Sequence, residues 1–98
     1  MYFLLKLLPP RPTFMQDMSP EEAAIMQKHA VYWQGMMQEG KMHVLGPVAD
    51  PDGPWGLGIL ETKDQAGAEA LCAADPAITS GRGFQAKICV MPRAVLRR

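Results

Sequence analysis

Residues 19–40 read SPEEAAIMQKHAVYWQGMMQEG, and this stretch decides the fold because it carries the start and stop signals of one long helix. Ser19 is a typical N-cap residue, Pro20 suits the first helical position, and Glu22 completes a capping box with Ser19. Gly40 is typical of a helix C-terminus. The sequence therefore predicts a helix that runs to about residue 39. Its apolar residues at helical spacing are Ile25, Met26, Trp33, Met36 and Met37.

Four strands are predicted around this helix. Each is rich in apolar residues and is bounded by proline, glycine or aspartate, which favour turns. The four predicted strands are residues 2–8, 41–49, 55–61 and 84–91. Because the segment 50–54 between the second and third strands is dense in turn-forming residues, these two strands should form a hairpin.

A second helix is predicted over residues 64–74, which are rich in alanine and are capped by Asp64 or Thr62. The apolar residues expected on one of its faces are Ala70, Leu71 and Ala74. The proline-rich residues 9–18 are predicted to form a loop, and residues 92–98 a basic surface tail. The resulting order predicts one α+β domain over residues 1–98, a ferredoxin-like βαββαβ sandwich whose antiparallel sheet carries both helices on one face.

The charge balance and the apolar content exclude several classes of function. Ten Lys and Arg residues balance ten Asp and Glu residues, and 48% of the chain is hydrophobic. A chain without net charge lacks the field that attracts phosphates, so no nucleic-acid partner is expected. No stretch approaches the roughly 20 apolar residues that span a bilayer, so no membrane partner is expected either.

Neither the cysteines nor any motif predicts a metal or a cofactor. Cys72 and Cys89 match no zinc-binding or disulfide pattern, and we interpret both as small buried hydrophobic residues. The sequence motifs of nucleotide hydrolysis, Rossmann cofactor binding and zinc proteolysis are absent. A reducing cytoplasm is the expected location.

The predicted sheet is apolar on both faces, although the helices cover only one of them. In the first strand, Phe3 and Leu5 lie on one face while Tyr2 and Leu4 lie on the other. Strands of this kind are usually buried on both faces. The sequence therefore predicts a homodimer in which a partner sheet covers the second face.

His29 and Asp75 are the candidate catalytic residues, and each has two interpretations. His29 falls on the predicted buried face of the long helix, where it is either a structural histidine bonded to a carbonyl group or a general acid and base. Asp75 precedes Pro76, so it either caps a short helical segment or orients His29. Because both helices pack side by side, the residue after the second could reach the first. The residues alone leave both alternatives open.

A few other residues are candidates for substrate binding. Arg11 could bind a substrate carboxylate or be merely solvated, and Phe14 and Trp33 could form apolar pocket walls. Gly46-Pro47 interrupts a strand, which indicates an edge position or a bulge beside a pocket. The eight methionines are interpreted as adaptable core residues.

The chain resembles the YCII-related (YciI-like) domain family. The residues that carry the resemblance are His29 in Glu22-x6-His29-x3-Trp33, the stretch from Gly40-Lys41 to Gly46-Pro47-Val48, Asp75-Pro76 after the alanine-rich helix, and the last strand ending at Met91-Pro92. They extend over nearly the whole chain. The resemblance implies a dimeric α+β barrel of ferredoxin-like protomers, with a His–Asp pair as its active site that maps onto His29 and Asp75.

The leading hypothesis is therefore a small metal-independent enzyme in which His29 and Asp75 act as an acid–base pair. Its expected substrate is a small cyclic or aromatic metabolite, and its expected chemistry is elimination, isomerisation or hydrolysis. The alternative is a non-catalytic dimer that binds a metabolite or serves as an accessory protein.

Overall fold

The computed structural model describes residues 1–97 and confirms the predicted α+β architecture. In chain order the elements are β1 (Tyr2–Leu8), α1 (Phe14–Asp17), α2 (Pro20–Gln38), β2 (Met42–Val48), β3 (Trp55–Glu61), α3 (Gln65–Ala73), α4 (Pro76–Thr79) and β4 (Gln85–Met91). The four strands form one antiparallel sheet in the order β2-β3-β1-β4, with the helices on one side. Arg98, the end of the predicted basic tail, lies outside the described residues.

The start and stop of α2 are those predicted from its terminal residues. Ser19 Oγ accepts the backbone N–H of Glu22 at 3.1 Å, and Glu22 Oε1 accepts the backbone N–H of Ser19 at 2.9 Å, so the capping box is complete. The chain turns at Gly40, whose φ of 75° favours glycine. Within residues 1–97, no helix is long and apolar enough to cross a membrane.

The prediction of a plain loop over residues 9–18 is wrong, because this segment contains the one-turn helix α1. Phe14, at its first position, is 2% exposed and meets the ring of Phe84 edge-on, with 5.2 Å between the ring centroids. Thr13 Oγ1 donates a 2.6 Å hydrogen bond to Asp17 across the turn. A helix of four residues is too short to show a hydrophobic period, so the prolines dominated the prediction.

The two faces of the sheet differ as the alternation in β1 predicts. Phe3, Leu5 and Leu7 point towards the helices and are at most 5% exposed. Tyr2 and Leu4 point away and are half-buried. We call this second side the open face, and on it Leu4 pairs with Ile59 of β3 and Lys6 pairs with Leu57. The apolar core therefore lies between the sheet and the helices.

The face of α3 that packs inward is not centred on the three apolar residues Ala70, Leu71 and Ala74. Ala70 and Ala74 are exposed, whereas Ala68 and Cys72 are buried, with Leu71 half-buried beside them. Ala68 and Cys72 are four residues apart and both small, so they let α3 approach the sheet closely. Alanine is too weakly hydrophobic for its spacing to fix which face packs inward.

The interpretation of Cys89 as buried is also wrong. Cys89 pairs with Leu4 in the sheet, so its side chain lies on the open face, where it is exposed in the single chain. Cys72 is buried as predicted. The strand pairing, which determines the environment of Cys89, could not be read from the alternation in β4 alone.

Glycines on the helix side of β3 shape the space above the sheet. A Cβ atom at Gly58 would lie 2.8 Å from Cε of Met42, so only glycine lets Met42 pack there without a shift. Gly56 pairs with Pro47 of the edge strand β2. Of the two interpretations of Gly46-Pro47, the edge position is therefore correct. The register irregularity of β2 lies between Met42 and Val44, and not at Gly46-Pro47.

Candidate active site

His29 and Trp33 share one face of α2, four residues apart, so both side chains point from the helix towards the core. Trp33 is completely buried, whereas His29 is 8% exposed. The remaining exposure matters because it leaves the imidazole in contact with a cavity. The helical periodicity of α2 therefore places an imidazole at the boundary between core and cavity.

Asp75 lies at the junction of α3 and α4 and is the most buried acidic residue of the site, at 1% exposed. Its Oδ1 accepts the backbone N–H of Ala77 at 2.9 Å, which is the N-cap interaction of α4. The same carboxylate lies 2.9 Å from His29 Nδ1 through both oxygens, and Oδ2 accepts the indole N–H of Trp33 at 2.8 Å. Asp75 thus caps α4 and also contacts the imidazole of His29, so both of its alternative interpretations from sequence agree with its geometry.

The partners of Asp75 determine which nitrogen of His29 carries the proton in the neutral ring. An ionised carboxylate only accepts hydrogen bonds, and the N–H groups of Trp33 and Ala77 can only donate to it. The third partner, His29 Nδ1, must therefore also donate. This leaves Nε2 with its lone pair. Among the described residues, Nε2 of His29 has no hydrogen-bond partner. Every fully buried side-chain nitrogen or oxygen of these residues has such a partner, so Nε2 is not fully buried and keeps access to solvent.

A cavity of about 280 Å³ lies between α2, the sheet and the segment that contains α1. Of residues 1–97, His29 is the only one with a titratable side chain in the lining of this cavity. Apolar side chains make up most of the wall, including Leu5 and Leu7 from β1 and Met26 from α2. Cavities of this kind, with an apolar wall and one well-placed polar group, are typical of sites for small molecules.

The predicted substrate-binding residues divide into two groups. Phe14, Gly46 and Pro47 line the cavity. Trp33 and Arg11 are not among its lining residues. Trp33 lies behind the site and holds Asp75 through its N–H, which differs from the predicted role as an apolar wall.

Arg11 is occupied by two acidic side chains of its own chain. Its Nη1 and Nη2 donate to the two oxygens of Glu22, each at 2.8 Å, and its Nε donates to Asp17 at 2.7 Å. The adjacent Glu22 raises the pKa of Arg11 above its usual range. In return, Arg11 and the backbone N–H of Ser19 lower the pKa of Glu22 to about 2. In this structure Arg11 is therefore not available to bind a substrate carboxylate.

Several lining residues were not predicted individually. Met15, Met18 and Met26 lie in the wall, together with Trp55 and Phe84. The unusual number of methionines was the available signal, since flexible thioether side chains suit binding surfaces as well as cores. Their position in one cavity depends on the packing of α1 and could not be predicted from composition.

Two further titratable groups lie near Asp75, and both are held in their neutral form. Burial, with a smaller contribution from Asp75, raises the pKa of the Cys72 thiol to about 12. Burial, again with Asp75 nearby, raises the pKa of Tyr32, whose hydroxyl donates to the carbonyl of Leu71 at 2.6 Å. Neither group lines the cavity, so His29 is the candidate for proton transfer.

Over residues 1–97, no cluster of three or more His, Cys, Asp and Glu side chains could hold a metal ion.

Comparison with solved structures supports the fold. The chain is similar to 5-chloro-2-hydroxyhydroquinone dehydrochlorinase from Burkholderia phenoliruptrix, solved as a complex with 2,5-dihydroxybenzoquinone. The TM-score is 0.69 and the sequence identity is 19%, over 96% of each chain. At this identity the similarity shows the fold, and it confirms the predicted ferredoxin-like α+β sandwich. No curated protein matches the sequence.

Comparison with protein families confirms the resemblance seen in the sequence. The family model of the YCII-related domain matches residues 1–92, which include every element of the fold and both His29 and Asp75. The chain belongs to the YCII-related domain family.

Proposed function

We propose that this protein is a small acid–base enzyme in which His29 and Asp75 form the catalytic pair. One observation carries the proposal: His29 holds Nδ1 against a buried carboxylate and is, in the described part of the chain, the only titratable side chain that lines the apolar cavity. A histidine with a purely structural role needs no second nitrogen that keeps access to a cavity.

In this mechanism His29 Nε2 takes a proton from the substrate, and the resulting imidazolium is stabilised by Asp75. Trp33 and Ala77 fix the carboxylate by donating to its two oxygens, so the imidazole keeps one orientation. The apolar wall lowers the local dielectric constant and strengthens the interaction of the ion pair. Positioned acid–base groups of this kind typically contribute about 10²–10⁴ in rate.

Three reaction types fit this machinery, and elimination fits best. In an elimination, Nε2 removes a proton from a ring carbon, the carbon–carbon double bond forms as the leaving group departs with its electron pair, and the imidazolium then releases the proton to the departed group or to water. Isomerisation returns the proton to a different atom of the substrate, and hydrolysis uses the same base to activate water. The structural neighbour named as a dehydrochlorinase acts by name on a hydroxyhydroquinone, which supports a cyclic substrate.

The size of the cavity supports a substrate with one ring. An apolar cavity of roughly 150 Å³ can hold benzene, and the cavity described here has about 280 Å³. A substituted six-membered ring would therefore fit. We propose that no metal takes part, because His29 is the only side chain of the lining with a nitrogen suited to metal coordination, and its Nδ1 is bonded to Asp75.

We further propose a homodimer that buries the open face of the sheet. Leu4, Leu57 and Ile59 form its apolar centre and are only half-buried in the single chain. A two-fold partner would cover these residues with an equivalent surface, as sheets with two apolar faces require.

Since both cysteines are unpaired, we place the protein in the reducing cytoplasm.

The second candidate function is a non-catalytic metabolite-binding dimer. The observation that favours it is the composition of the same wall. Among the described lining residues, His29 has the only side chain that can act as an acid or a base, and the rest of the wall is mostly apolar. In that case His29 would orient the ligand without exchanging its protons.

The two candidates are distinguished by proton exchange. The protein is incubated in D₂O with a panel of small cyclic enols, ketones and halogenated hydroquinones, and NMR follows deuterium incorporation and halide release. An enzyme should accelerate exchange or release for at least one compound, and His29→Gln should lose most of the acceleration. His43→Gln is the matched control, since His43 is exposed and paired with Glu61 outside the cavity. Binding without any acceleration would contradict the enzymatic proposal.

A further inference from the structure

Residues 9–18, which we call the cover segment, form one side of the cavity. They contribute four of its lining residues, which are Pro9, Phe14, Met15 and Met18. The segment leaves the end of β1, makes the single turn α1, and returns to the start of α2. Because His29 lies beneath it at 8% exposure, the position of the cover segment affects access to Nε2.

The polar interactions between the cover segment and the rest of the protein are few. Among the described residues its backbone hydrogen bonds are internal, such as those from Gln16 and Asp17 to the carbonyl of Thr13. Its side-chain hydrogen bonds to other parts of the chain all come from Arg11 and end on Glu22. Its apolar anchor is Phe14, which is buried in a cluster with Leu7, Ala77 and Phe84.

Arg11 connects the cover segment at both of its ends. Its Nε and Nη2 donate to the side chain and the carbonyl of Asp17 at 2.7 and 2.9 Å, which fixes the far end of the turn. Its two terminal nitrogens also form the forked ion pair with Glu22. The guanidinium lies 5.4 Å from the centre of the Phe14 ring. One side chain therefore joins both ends of the segment to α2.

The partner of Arg11 belongs to the same helix as the imidazole. Glu22 is seven residues before His29, about two helical turns, so both lie on the same face of α2. Glu22 is itself 7% exposed and is fixed by the capping box, which makes it a firm anchor. A forked pair between a guanidinium and a carboxylate resists rotation better than a single hydrogen bond.

We infer that Arg11 is a positioning residue that latches the cover segment onto Glu22, and that opening of this latch widens the access of a ligand to His29. Arg11 thus acts on the site through the segment and makes no contact with the ligand. The relevance of the latch to turnover rests on the function proposed above. Its effect on access to His29 can be measured without any substrate.

The test is the rate at which diethyl pyrocarbonate modifies His29, followed by peptide mass spectrometry. The reference in every sample is N-acetylhistidine in solution, because His43, the second histidine of the protein, contacts Tyr2 on the open face that the proposed dimer covers. Wild-type His29 should react more slowly than N-acetylhistidine. In Arg11→Gln the rate at His29 should rise by about tenfold, as expected when a charge-assisted hydrogen bond is lost, while the rate at His43 stays unchanged.

Glu22→Gln tests the same latch by changing the partner of Arg11, and it keeps the N-terminal capping box of α2. Glutamine at this position still completes a capping box, yet its amide nitrogen faces Arg11 Nη1 and cannot accept from it. This variant should also accelerate the modification of His29. The matched control is Arg82→Gln, which removes the ion pair of Arg82 with the neighbouring Glu21 and leaves the cover segment intact.

Three results would overturn the inference. His29 could react as fast as N-acetylhistidine in the wild type, which would mean that the segment does not cover it. Its rate could stay unchanged in both Arg11→Gln and Glu22→Gln. It could also rise equally in Arg82→Gln, which would indicate general loosening of α2. None of these results depends on catalysis, so each is distinct from a failure of the proton-exchange test.

Discussion

Trp33 Nε1 donates a 2.8 Å hydrogen bond to Asp75 Oδ2, and both side chains are almost completely buried. The indole therefore does more than fill the core, since it fixes the carboxylate that meets His29. Because Trp33 and His29 lie one turn apart on α2, the helix presents two donors to the same acidic group. The geometry of the proposed catalytic pair thus depends on a residue that does not line the cavity.

Trp33→Phe should destabilise the protein by about 2 kcal/mol or more, because it leaves a buried carboxylate oxygen without one of its donors. Urea unfolding measures the change. The matched control is Trp55→Phe, which removes a 3.0 Å hydrogen bond to Asp50 at a half-buried position and should cost less than about 1 kcal/mol. An equal decrease in the free energy of unfolding in the two variants would show that the hydrogen bond to Asp75 stabilises the protein no more than the one to Asp50.

The ion pair of Arg11 with Glu22 should give acid-sensitive stability. The pKa of Glu22 is lowered to about 2 from an ordinary value of 4.5. The stabilisation is therefore complete above pH 4.5 and is lost as the pH falls towards 2. Thermal melting should show the wild type above Glu22→Gln at pH 6, with the difference shrinking between pH 4.5 and 2. A difference that is constant over this range would contradict the assignment.

Ile59→Asp should convert the proposed dimer into folded monomers, because it places a charge at the apolar centre of the open face, at a position that does not line the cavity. Sedimentation velocity measures the change in mass. Cys89 shares the open face, so iodoacetamide should alkylate it faster in the variant than in the wild type. The control is Val31→Asp, at a position 68% exposed on α2, which should leave the mass unchanged. A monomeric wild type would contradict the dimer.

Asp75→Asn should disturb both the fold and the imidazole. The amide nitrogen of asparagine would face one of the three donors that the carboxylate now satisfies, so a buried polar conflict arises. We expect a loss of about 3 kcal/mol in the free energy of unfolding, as when buried hydrogen bonds to a charged group are broken. Calorimetry checks this value. A melting temperature equal to that of the wild type would show that the carboxylate is not essential to the core.

The parts of the structure that could be predicted are those determined by neighbouring residues. Ser19, Glu22 and Gly40 specify the ends of α2 through contacts within a few positions of the chain. The position of Asp75 beside His29 depends on how two helices pack, and the family resemblance indicated that pairing where spacing alone left it open. The partners of Arg11 were not predictable, since several acidic residues were available and tertiary packing selects Glu22 and Asp17.

The tautomer of His29 determines whether its Nε2 can act as a base, and two-bond ¹H–¹⁵N correlation spectra of ¹⁵N-labelled protein report it at a pH where the ring is neutral. We expect a proton on Nδ1, where Asp75 accepts it, and a ¹⁵N shift of an unprotonated nitrogen at Nε2. In Asp75→Asn this preference should weaken or reverse. A proton found on Nε2 in the wild type would contradict the account, because the imidazole would then have no lone pair on Nε2 to act as a base in the cavity.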